Sequence, residues 1–90
     1  MNNEDFVKAK EFENQGKFAL AAKEYEHAIE LGIGNQVEAH QKRGRALARL
    51  GRYEEALDEC QRALVLNPDL PLAHELLGYV YMQQARYYLA

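Results

Sequence analysis

The apolar residues of the chain fall into stripes with steps of three and four, the signature of amphipathic helices. In the middle of the chain, Ala39, Arg43, Ala46, Leu47 and Leu50 form one such series. Gly51-Arg52 breaks it, and Tyr53, Ala56, Leu57, Cys60, Ala63, Leu64 and Leu66 begin another. Asn67-Pro68-Asp69 ends that second stripe, because proline cannot extend a helix, and Asp69 is the expected N-cap of the next one. The pattern predicts helices near 3–15, 18–32, 36–50, 53–66 and 70–84, with a sixth opening at about Arg86.

The stripes repeat. At an offset of 34, Ala39-His40 aligns with Ala73-His74, Gly44 with Gly78, Tyr53 with Tyr87 and Ala56 with Ala90. At an offset of 35, Gly16 aligns with Gly51, Phe18 with Tyr53, Ala21 with Ala56, Ala28 with Ala63 and Leu31 with Leu66. The one-residue difference fits best in Gly32-Ile33-Gly34-Asn35, a glycine-rich connection that tolerates insertion. One domain over 1–90 is therefore expected, with repeat one at about 2–35, repeat two at about 37–70 and a truncated repeat three at 71–90. Gly44 and Gly78 each fall mid-helix, where glycine is about 1 kcal/mol worse than alanine. A repeated penalty implies close helix contact at both places, with Ala56 and Ala63 as the small residues opposite.

Composition narrows the chemistry. The chain has 90 residues, 11 basic and 14 acidic, for a formal charge of −3, so bulk charge favours neither nucleic acid nor a membrane surface. One cysteine forms no internal disulfide and no cysteine-rich zinc framework. No uncharged run approaches the roughly 20 residues of a membrane-spanning helix. The start, Met1-Asn2-Asn3-Glu4-Asp5, lacks the features of a signal peptide, so a reducing, cytoplasmic location is expected. Serine and threonine are absent, which removes hydroxyl nucleophiles, and no catalytic constellation emerges. No enzyme, cofactor or metal is expected.

Gly44, Leu47, Gly51, Tyr53, Ala56, Ala63 and Pro68 stand at the mutual spacings of the tetratricopeptide repeat, and the chain resembles that family over essentially its whole length. The third unit carries the pattern in Leu77-Gly78, Tyr81, Tyr87 and Ala90; in the first, Ala9 replaces the small glycine and Ile33 the closing proline. His40 and His74 take the place of the motif's tryptophan, and Ala85 that of the third turn glycine. The resemblance implies an all-α, right-handed solenoid of antiparallel hairpins whose first helices line a concave face. Such proteins are mostly protein-interaction scaffolds that bind a peptide or helix in that groove. The matching groove positions are Phe6, Lys10, Glu13 and Asn14, then Gln41, Arg45, Ala48 and Arg49, then Leu72, Glu75, Tyr79, Met82 and Gln83. A subgroup clamps the carboxylate end of chaperone tails. At its positions this chain has Phe6, Lys10, Lys42, Glu75 and Tyr79, and Glu75 would repel a carboxylate.

Lys42, Arg43, Arg45, Arg49 and Arg52 form a cationic stretch without an acid among them, with Arg45, Arg49 and Arg52 at i, i+4 and i+7. Two readings stay open. They hold an acidic peptide through charge-assisted contacts, or they answer Glu38, Glu54, Glu55, Asp58 and Glu59 as surface pairs. The acids between Lys10 and Glu30 read as a solvated charged face, His27, His40 and His74 as packing or rim residues, and Cys60 as a small buried hydrophobe. Arg86-Tyr87-Tyr88-Leu89 reads as the opening of the sixth helix rather than a nucleic-acid stacking site.

The third unit stops a few residues into its second helix, so the chain reads as a fragment of a longer array or an engineered piece. Leu76, Leu77, Val80 and Tyr81 are expected to lack intrachain cover, and with Tyr87, Tyr88 and Leu89 they form a candidate self-association surface. A homodimer by C-terminal stacking or helix exchange is the alternative to a groove-binding scaffold. With Ala85 at the turn, a straight run of the fifth helix to Ala90 is also open.

Overall fold

The computed structural model describes residues 4–32 and 34–89, leaving the side chains of Tyr87 and Leu89 aside. Five helices follow in order: α1 (Glu4–Asn14), α2 (Phe18–Leu31), α3 (Gln36–Arg49), α4 (Tyr53–Leu66) and α5 (Pro71–Leu89). Each packs on its sequence neighbour, and α3 also reaches α5. The result is an elongated stack of 46 × 29 × 18 Å.

The two hairpin turns are built alike. Gly16 (φ +76°) and Gly51 (φ +81°) take the left-handed conformation open to glycine, and the next amide folds back on the helix just ended. Lys17 N–H reaches Phe12 O at 2.8 Å, and Arg52 N–H reaches Leu47 O at 2.9 Å. Asn35 caps α3, its Oδ1 accepting from Glu38 N–H at 3.1 Å. Asp69 is not the cap of α5. The Asn67 side chain takes the Asp69 amide at 3.2 Å in a local turn, and Pro71 opens the helix, where its missing N–H leaves nothing unpaired.

Small residues form much of the core. Ala9, Ala21, Ala22, Ala28, Ala39, Ala46, Ala48, Ala56, Ala63 and Ala73 are all buried, so the helix axes can come close. The largest fully buried side chains are Tyr25, Leu47, Val80 and Cys60. Gly44 shows why nothing larger fits. A Cβ there would stand 3.3 Å from Ala56 O and from Glu59 Cβ, and 3.5 Å from Cys60 Sγ.

Two expectations fail at α5. Among the described residues no sixth helix folds back, and α5 runs through Ala85 to Leu89, since alanine favours helix where the earlier turns have glycine. Gly78, in the register of Gly44, meets no neighbouring atom within 4 Å of a built Cβ, so the close contact expected there is not made.

Candidate groove between α3 and α5

A groove of about 530 Å³ lies between α3 and α5. One wall carries Glu38, Gln41, Lys42, Arg45, Ala48 and Arg49; the other carries Leu72, Glu75, Leu76 and Tyr79. Helical periodicity explains the second wall, because residues at i, i+3, i+4 and i+7 share a face.

Of the expected groove residues, Gln41, Arg45, Ala48, Arg49, Leu72, Glu75 and Tyr79 line this space, and Lys42 joins them, whereas Glu13 and Asn14 of α1 do not line it. Phe6 does not. It is buried in the first hairpin, edge-on to Tyr25 with centroids 5.9 Å apart, and a side chain at Gly34 would collide with its ring. An aromatic at that position serves the core because burial removes far more apolar surface than a groove rim would. Lys10 is exposed on α1, and Met82 and Gln83 lie further along α5; none of the three lines the groove. Glu38 and Leu76 do, although Glu38 was read as an ion-pair partner and Leu76 as a self-association residue.

The cations are anchored from behind. Arg45 Nη2 contacts both oxygens of Glu13 at 2.7 and 3.2 Å, and Glu13 in turn accepts from Tyr25 Oη–H at 2.9 Å. Burial raises the Tyr25 phenol well above its ordinary range, and the adjacent Glu13 carboxylate adds to the shift. Arg49 lies over the Phe18 ring, 5.4 Å from its centroid, a cation–π contact. Lys42 pairs with Glu38 along its own helix at 3.6 Å.

Arg43 and Arg52 leave the cationic series. Arg43 points to the other side and joins Glu59 at 3.1 Å and Glu26 at 3.4 Å. Arg52 lies beyond the end of α3 and forks onto Glu55 at 2.7 and 2.8 Å, which lowers the Glu55 carboxyl pKa. Lys42–Glu38 and Arg52–Glu55 thus follow the surface-pair reading, Arg43 meets its expected acid Glu59 in a buried contact, and Arg45 finds an acid on α1 that no local spacing pointed to.

The histidines are tied into the scaffold. His40 Nδ1 stands 2.8 Å from Glu59 Oε2 in the buried α3/α4 contact, and His27 Nδ1 lies 2.9 Å from Asp5 Oδ2. His74, in the register of His40, donates to Pro68 O at 3.1 Å instead. Asp5, Glu24 and His27 bring ligand-type atoms within 4.8 Å of one another, a grouping the sequence spacing missed. Lys8 and Lys23 border the same open recess. Cys60 is buried and its thiol is pushed up to about 11 by that burial, so it packs as a hydrophobe.

The expected self-association set divides. Val80 is fully buried and Leu76 and Leu77 are half-buried, because α5 turns this face onto α3 and α4. Tyr81 is 54% exposed and Tyr88 79% exposed. The Tyr87 and Leu89 side chains lie outside the described residues. No helix among the described residues is long and apolar enough to cross a membrane.

A family model for the TPR repeat matches residues 44–84. The chain belongs to the tetratricopeptide-repeat family. It is 28% identical over 96% of its length to small glutamine-rich tetratricopeptide repeat-containing protein 2 of Mycosarcoma maydis, covering 26% of that protein. It is 35% identical to the STIP1 homolog of Dictyostelium discoideum, over 74% of this chain and 13% of that one. Hsc70-interacting protein 1 of Drosophila melanogaster is 39% identical over 71% of this chain and 17% of its own. The tetratricopeptide-repeat chain thus spans about a quarter or less of these relatives. No solved structure matches it. Its five helices form a helical-repeat solenoid.

Proposed function

We propose that this chain is a non-catalytic scaffold that holds a peptide or helix of a partner protein in the α3/α5 groove. The observation that carries the reading is the pair of groove walls, with anchored Arg45 and Arg49 facing Leu72, Leu76 and Tyr79. An acidic group on the partner meets the arginines, and an aliphatic one covers the leucines and tyrosine. A reducing, cytoplasmic setting for the lone Cys60 belongs to the same proposal.

The name of the Drosophila relative makes an Hsc70-type chaperone the first partner to test. The carboxylate clamp does not support such contact, since Phe6 is buried, Lys10 is elsewhere and Glu75 borders the groove. Isothermal titration of a purified Hsc70-type chaperone against the chain and against Arg49→Glu tests both points. Binding that disappears in the variant is expected. Equal binding by the variant sinks the groove, and no heat at high micromolar concentration sinks this partner.

A second reading, self-association into a homodimer, rests on the α5 face around Gly78, where Tyr81 is exposed and a Cβ built on the glycine meets no atom within 4 Å among the described residues. Sedimentation at high micromolar concentration should then give a dimer that Tyr81→Glu dissociates; a strict monomer removes the reading.

A further inference from the structure

We infer that Glu75 is the residue that sets specificity in this groove, and that the segment bound there carries a basic group as well as an acidic one, with aliphatic side chains between. The inference rests on the groove reading above and adds the charge pattern of its ligand.

The charges along the groove are not equivalent. Lys42 is answered by Glu38, and Arg45 by Glu13. Among the described residues, Arg49 has no carboxylate partner and Glu75 has no cation. Their own helices supply none. The residues three and four positions from Arg49 are Arg45, Ala46, Arg52 and Tyr53, and those around Glu75 are Pro71, Leu72, Gly78 and Tyr79. One unneutralised charge of each sign therefore lines the groove, positive on the α3 wall and negative on the α5 wall.

Glu75 sits within an apolar face. Leu72 and Tyr79 flank it at i−3 and i+4, 60% and 40% exposed, and its chain neighbour Leu76 lines the same wall. A ligand that covers this face removes water from around the carboxylate. An uncompensated charge in that position opposes binding, and a lysine or arginine of the ligand relieves the penalty. A second acid, or a carboxyl terminus, placed there meets a like charge and is rejected. The groove thus discriminates against purely acidic segments although its α3 wall is cationic.

The probes are four fluorescein-labelled, C-terminally amidated ten-residue peptides with a common Leu-x-x-Leu centre. Their flanking charges are Glu and Lys, Glu and Glu, Lys and Lys, or Gln and Gln, and anisotropy reads their affinity. The unmodified chain should prefer the Glu/Lys peptide over the Glu/Glu peptide by about fivefold, the scale of one partly exposed ion pair. Glu75→Gln should erase that preference, and Glu75→Lys should reverse it by a similar factor. Leu72→Gln should weaken all four alike, which reports on the groove independently of charge. If the chain binds with a Leu72-dependent affinity but ranks the peptides identically with and without Glu75, the inference is overturned and the groove stands. If none of the four binds, or Leu72→Gln changes nothing, the groove reading itself falls and the inference with it. Circular dichroism on each variant confirms that the helices are intact.

Discussion

Gly44 and Gly78 occupy the same register of successive repeats, and so do His40 and His74, yet their surroundings differ. On α3, helix α4 closes over Gly44, and His40 and Arg43 converge on the buried carboxylate of Glu59. On α5 no described residue comes within 4 Å of a Cβ at Gly78, and His74 turns to a backbone carbonyl. The repeat pattern specifies what each face can accept, and the neighbouring helix decides whether that capacity is used. A residue's register in a repeat therefore predicts its role only as far as its partner helix is present.

The largest expected contrast lies in the histidine pair. Glu59→Ala leaves Arg43 and His40 facing each other without their acid in a buried contact, and should destabilise the fold by about 3 kcal/mol in urea unfolding. His74→Ala should stay within about 0.5 kcal/mol, because its bond is at the surface. Equal effects would erase the distinction between the two faces.

A smaller contrast is expected at the glycines. Gly44→Leu forces a side chain against Ala56 O and Glu59 and should lose about 2 kcal/mol, even though leucine is the better helix former. Gly78→Leu meets open space and should gain up to about 1 kcal/mol. Destabilisation by Gly78→Leu in thermal unfolding would mean that something already covers α5.

A smaller effect again is expected from the buried phenol of the core. Burial raises the Tyr25 pKa above its ordinary 10.0, so the folded state keeps the proton that the unfolded chain releases. Stability from this group is complete below pH 10 and declines as the pH rises beyond it, by about 1 kcal/mol at pH 11. Tyr25→Phe should flatten that alkaline decline partly, leaving the portion due to Cys60, whose thiol is raised from 9.0 to about 11.

Much of the fold was legible because it depends on spacing. The boundaries of α1 to α4 follow from apolar stripes broken at Gly16 and Gly51 or closed at Asn67-Pro68. The continuous α5 was only an alternative, since a single alanine for glycine removes a turn without disturbing the stripe around it. The groove was legible on α3 and α5 because repeat register carries over from helix to helix. It failed on α1, where Phe6 turns inward to fill space left by small neighbours and Gly34. The partners of the cations were the least legible. Arg45 finds Glu13 across 32 positions of sequence, a contact fixed by how hairpins stack and not by any local pattern.

The central claim is that the side of α5 facing α3 binds while the side around Gly78 is a separate surface. Titration of the isotope-labelled chain with the Glu/Lys Leu-x-x-Leu peptide, followed by amide chemical shifts, tests it most directly. The account predicts shifts concentrated at Gln41, Ala48, Arg49, Leu72, Glu75 and Leu76, with His74, Gly78 and Tyr81 unmoved. Shifts centred on His74, Gly78 and Tyr81, with the groove residues silent, would contradict it.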